Sequence, residues 1–136
     1  IPVHTPGHAK DLTCFLLPQQ GYFFSGDLFI SKRLKLLRAD EDLALLLDSL
    51  KKVTRLEFDT VFCPHAGIIK NGQTALKAKL NNILQMCEQV QALQAKGWSL
   101  DKISLDLLGP EDKVAKLSRG NFCKMNLISQ CASISL

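Results

Sequence analysis

Close to residue 70 the hydrophobic pattern of this chain changes period, and that change limits the fold more than any single motif does. Before it, apolar residues come in short runs suited to strands: "IPVH" (1–4), "LTCFLL" (12–17), "GYFFS" (21–25) and "FDTVFC" (58–63). The second and third runs flank Pro18-Gln19-Gln20, which predicts a hairpin. One helix interrupts them over 40–53: Asp40 can cap it, Leu43, Leu46, Leu47 and Leu50 share a face, and Lys51 and Lys52 oppose the negative end of the dipole. After residue 70 the apolar steps are three and four. Leu76, Leu80, Ile83, Cys87 and Val90 predict a helix of roughly seven turns, from a cap near Asn71 to a stop at Lys96-Gly97. Ser99 can cap a short helix ending at Gly109-Pro110, and a third segment covers 111–118. Asn121 can cap a last helix with Phe122, Met125, Ile128 and Cys131 or Ala132 on one face. The result is a mixed α/β (α+β) chain, with residues 98–136 as a helical C-terminal extension to the body over 1–97.

A chain of 136 residues, 46% hydrophobic and 22% charged, has material for one core. It holds no run of 18 apolar residues, and residues 1–30 lack the order of a signal peptide, so no membrane association and a cytoplasmic location are expected. The five cysteines are odd in number and unpaired in spacing, which argues against a disulfide framework and a Cys-x-x-Cys zinc site; they are expected as buried small hydrophobes. The net charge of +4 is spread out, apart from Lys32, Arg33, Lys35 and Arg38, which read as a solvated loop. No aromatic stacking pattern accompanies them, so nucleic acid is not an expected partner. "IPVH" reads as a strand with no turn or cap before it, and the chain is expected to be cut from something longer.

Three strand ends carry a side chain able to ligate a metal: His8 after the first, Asp27 after the third, His65 after the fourth. "TPGH" places a proline and a glycine before His8, which forces a turn and lets the backbone pass close to whatever the imidazole binds. "SGD" turns the chain at Asp27, and "CPH" sets His65 directly after a proline. Two imidazoles and a carboxylate suit zinc, iron or manganese, and a carboxylate can bridge two ions. Taken singly, each has a plainer role: a turn histidine is more often structural, and an aspartate after glycine is a turn former. Pro6 and Gly7 argue against a helix that would put His4 and His8 on one face; His4 is expected in the first strand. Asp11 is either a loop cap, the reading slightly preferred, or a hydrogen-bond partner of a ligand histidine. Cys63 is expected to be buried.

In that order, "TPGH", a hairpin, "SGD", a helix, a strand and "CPHAG" resemble the second half of the metallo-β-lactamase fold hydrolases, the superfamily that includes glyoxalase II. The resemblance covers residues 1 to about 70 and extends more weakly into the helices. It implies the C-terminal half of an αββα sandwich, with His8 on one ion, Asp27 bridging and His65 on the second. Zinc is the metal it suggests, two ions in the complete domain, with iron or manganese as alternatives. The final histidine of the family often lies in Pro-Gly-His-Gly, where this chain has "CPHAG". The family's His-x-His-x-Asp-His motif is absent from these residues, so the chain alone would be catalytically incomplete. One sheet face, with Phe15, Leu17, Phe23 or their neighbours, would then lie open unless the missing N-terminal half or self-association covered it.

The activity implied is metal-assisted hydrolysis, in which a metal-activated hydroxide attacks an ester, thioester, amide or phosphodiester of a small-molecule substrate. Two other functions compete with it. One is a non-enzymatic interaction module that keeps a degenerate hydrolase fold. The other is a helical module over 98–136 that binds protein or nucleic acid, although its apolar faces are more simply explained by packing.

Overall fold

In the computed structural model, which describes residues 1–136, the elements run β1 (Pro2–His4), β2 (Thr13–Leu17), β3 (Tyr22–Phe24), β4 (Leu37–Arg38), α1 (Leu43–Val53), β5 (Thr60–Cys63), β6 (Gly67–Ile69), α2 (Gly72–Ala95), α3 (Leu100–Leu108), α4 (Lys113–Leu117), β7 (Phe122–Cys123) and α5 (Lys124–Ser133). The hairpin across Pro18-Gln19-Gln20 forms, and β1, β2 and β3 are antiparallel neighbours. After the α1 crossover, β5 returns parallel to β3, as a helical connection allows. β6, too short to stand out in the sequence, closes the sheet order β1-β2-β3-β5-β6 by pairing antiparallel with β5.

Strand alternation gives this sheet two unlike faces. Cys14, Leu16, Phe23, Val61 and Cys63 are buried within the core. On the other face Phe15, Leu17, Tyr22 and Phe24 are exposed, with Phe24 stacked on Phe62 at 4.8 Å and Tyr22 edge-on to the same ring at 5.1 Å. Phe23 is therefore not part of the open face. Leu16 pairs with Phe23 and Phe15 with Phe24, and this register decides which neighbouring ring points outward.

The α1 stripe of Leu43, Leu46, Leu47 and Leu50 is buried as the spacing predicts. Its cap is Asp42 rather than Asp40: Asp42 Oδ1 accepts from Leu45 N at 3.0 Å, while residues 38–41 form a turn closed by Glu41 N to Arg38 O. Asn71 precedes α2 in a left-handed conformation (φ 52°) and makes no side-chain cap, whereas Ser99 caps α3 through Lys102 N. Asn121 does not cap α5. It accepts from Ala39 N instead, because Phe122-Cys123 are extended as β7, paired with β4.

A single apolar cluster of 23 buried residues joins the sheet, α1 and α2 to Ile103, Leu127, Ile128 and Cys131 of the C-terminal helices. All five cysteines are free and buried. No helix is long and apolar enough to cross a membrane. Beyond packing, α5 fastens β4 and the segment after it: Gln130 Oε1 accepts from Leu43 N, Gln130 Nε2 donates to Glu41 O, and Asn126 Nδ2 donates to Leu37 O.

Candidate metal centre

The "TPGH" turn leaves β1 and comes to rest on the first two turns of α1. Asp42 N donates to Gly7 O at 2.9 Å and Ser49 Oγ to Pro6 O at 2.7 Å. Gly7 has φ 137°, and a Cβ there would lie 2.5 Å from Leu46 N. Its close approach is thus to the helix backbone, not to a ligand of the imidazole. His8 emerges from this turn with 19% of its side chain exposed.

Asp27 lies in a 3₁₀ turn, Gly26–Leu28, at the end of β3. Buried donors from two other elements hold the turn from beneath: Lys79 Nζ of α2 donates to Leu28 O at 2.9 Å, and the Cys63 thiol of β5 to Phe29 O. His65 occupies the β5–β6 turn and is half-exposed. Strands β1, β3 and β5 thus deliver all three predicted side chains to one end of the sheet. His8 Nε2 lies 3.3 Å from Asp27 Oδ2, and His65 Nε2 2.8 Å from Asp27 Oδ1.

Asp11 does not reach His8; its side chain is exposed and its carbonyl accepts from Thr13. Glu41 occupies that place. Its Oε1 lies 3.3 Å from His8 Nδ1 and 3.2 Å from Arg38 Nε, while Arg38 Nη2 donates to the His8 carbonyl at 2.8 Å. Arg38 Nε is buried and lacks the angle for a hydrogen bond to Glu41, so that contact is Coulombic. His4 stays in β1, with Nε2 2.8 Å from Lys10 O.

As a test of fit, the donor set has the right chemistry for two cations: one carboxylate offers each oxygen to a different imidazole. Nevertheless, no three His, Cys, Asp or Glu side chains converge to hold an ion. An ion held from this chain through Asp27 would have one imidazole and one carboxylate oxygen, short of the three protein ligands usual for catalytic zinc.

A cavity of about 350 Å³ opens beside these groups, lined by His8, Asp27, Glu41, Lys79 and residues of the loop 30–36. Lys79 is the unexpected member. Burial lowers its ammonium from 10.5 to about 8, against the attraction of Glu41, since desolvation disfavours the charged form. A neighbouring cavity of about 570 Å³ shares Arg33, Leu34 and Lys35 as a common wall and contains no histidine.

No protein-family model matches the chain. It is 33% identical over 99 residues to the lactamase-like protein notP of Aspergillus sp. (strain MF297-2), covering 69% of this chain and 30% of that protein. Over 72 residues it is 32% identical to an atrochrysone carboxyl ACP thioesterase of Passalora fulva, covering 51% of this chain and 21% of the relative. The chain therefore spans a minor part of the curated relatives it matches. Among solved structures, a metallo-β-lactamase family protein of Thermus thermophilus superposes with a TM-score of 0.67 over 96% of this chain and 41% of its own, at 19% identity.

Proposed function

Since this chain belongs to the metallo-β-lactamase fold superfamily, we propose that it forms the C-terminal half of a metal-dependent hydrolase and supplies part of a binuclear centre. The observation that carries this is the single Asp27 carboxylate, whose two oxygens face the Nε2 atoms of His8 and His65. Asp27 would bridge two ions, His8 would ligate one and His65 the other; zinc is the first metal to test, with iron or manganese as alternatives. Bound there, the metals would acidify water at neutral pH and oppose the negative charge that develops on the substrate.

The protein's own groups fix that arrangement. Glu41 beside His8 Nδ1 favours a proton on that nitrogen and leaves Nε2 as the ligand atom. Lys79 and Cys63 set the height of the Asp27 turn. The remaining ligands would come from an N-terminal half, and the open face of Phe15, Leu17, Tyr22, Phe24 and Phe62 is the surface it would cover. Among the candidate bonds a thioester comes first, because one relative is named a thioesterase.

The test is elemental analysis, with hydrolysis of thioester, ester and phosphodiester substrates, on the polypeptide that carries this chain and on its His8→Ala and Asp27→Ala variants. Bound metal and hydrolysis, both lost in the variants, are expected. Metal-free, inactive protein would overturn the proposal in favour of a hydrolase fold kept for binding.

A further inference from the structure

The charges lining the 350 Å³ cavity are unevenly matched. Both carboxylates are engaged: Asp27 lies between two imidazoles, and Glu41 is shared by His8 and Arg38. The cations Arg33, Lys35 and Lys79, which also line it, take part in none of the chain's ion pairs. Lys79 is only 4% exposed, and its single hydrogen bond to a protein acceptor is the one to Leu28 O. An ammonium has three N–H donors; one reaches Leu28 O, the Phe29 ring lies 5.7 Å from Nζ and Glu41 attracts the charge without an ion pair, so two N–H groups lack protein acceptors in a place where an unmet donor is costly. The loop cations Arg33 and Lys35 are exposed, and the walls between carry Ile30, Leu34 and Leu46.

We infer that this cavity binds an organic anion, with its carboxylate or phosphate received by Lys79 at the inner end and its apolar body lying along Ile30, Leu34 and Leu46. The volume falls within the range of small-molecule sites. Arg33 and Lys35 would draw the anion in and weaken with salt, whereas the buried Lys79 would set the preference for charge. The identification of this anion with the substrate rests on the hydrolase proposal; the binding itself does not.

The test uses metal-stripped protein, kept in chelator so that no bound cation can hold the probe. Hexanoate, hexyl phosphate and neutral hexanol are titrated in and followed by calorimetry and by the side-chain NMR signals of the lysines. At least tenfold tighter binding of one anion than of hexanol is expected, with a shift of the Lys79 signal; whichever anion binds better identifies the headgroup. Lys79→Met should abolish the preference, and Lys79→Arg should restore part of it. Should both Lys79 variants unfold, the exposed pair Arg33→Ala with Lys35→Ala must reduce anion affinity severalfold without changing hexanol binding. Equal affinity for hexanol and the anions, or a preference that survives Lys79→Met, would overturn the inference. A metal-free, inactive parent that still prefers anions would refute the hydrolase proposal and leave this one standing.

Discussion

His8 and His65 meet opposite oxygens of one carboxylate, yet the protein holds them very differently. His8 is mostly buried: Glu41 lies at its second nitrogen, Arg38 bonds its carbonyl, and its turn is hydrogen-bonded to the start of α1. His65 is half-exposed, and Asp27 is its one side-chain partner. The contrast continues outward. Behind His8, α1 leads to the cluster of 23 residues that includes the C-terminal helices, and α5 fastens the very segment that carries Glu41. Beside His65 lie the short β6 and an open aromatic face. One side of the three-residue cluster is closed in by this chain, and the other lies open.

The largest test of that contrast replaces one glycine on each side. At Gly7 an alanine meets both the positive φ and the Leu46 backbone, and Gly7→Ala is expected to destabilise the chain by about 4 kcal/mol. At Gly67, after His65, φ is 75° but an added Cβ meets nothing within 4 Å. Gly67→Ala should cost only about 1 kcal/mol. Urea midpoints for the two variants that came out equal would remove the distinction.

Next in size is the pH dependence carried by Lys79, on the buried side. In the folded chain it releases its proton near 8, and its ordinary value is 10.5. Between those values the unfolded chain holds a proton that the folded chain has lost, so raising the pH favours the folded state. Below 8 both states are protonated and the burial penalty is felt in full. The gain across that window approaches about 3 kcal/mol, read as a rise in urea midpoint that Lys79→Met lacks.

The two sides are unequally legible in the sequence, for a physical reason. "TPGH", "SGD" and "CPH" declare His8, Asp27 and His65 because each is a local event, a turn chemistry at the end of an apolar run. Glu41 acts across 33 residues of chain, through a loop whose path depends on β7 and α5, and its position in "DED" suggests only the acidic start of a helix. Asp11 is nearer in sequence, but its exposed carboxylate makes no contact with His8. Lys79 does leave a trace: it stands three residues after Leu76 and four before Ile83, inside the apolar stripe of α2, where a charged side chain has to be explained. The short strand β6 has no such mark, and the expectation of Phe23 on the open face fails because a one-residue difference in hairpin register is invisible without the partner strand.

The carboxylate beside His8 can be tested against the one it displaces. Glu41→Gln keeps the shape and removes the charge beside Nδ1, and in the parent polypeptide it should weaken metal binding about 10- to 100-fold. Asp11→Asn, altering an exposed side chain that does not touch His8, should leave the affinity unchanged. Competition with a chromogenic chelator measures both, and equal losses would return Asp11 to the site.

The smallest effect is expected on the open side, where it carries the most information. His65→Ala removes a half-exposed ring whose contact in this chain is the hydrogen bond to Asp27, so the chain's stability should change by no more than about 0.5 kcal/mol. His8→Ala, by contrast, strips a mostly buried ring from its contacts with Glu41 and Asp27 and leaves Glu41 without its imidazole neighbour, at about 1–2 kcal/mol. If the two histidines serve one binuclear centre, the order must vanish when metal binding in the parent polypeptide is read instead: both variants should then lose an ion, although only one of them loosens the fold. A His65→Ala protein that kept its full metal content would make His65 a surface residue that happens to touch Asp27.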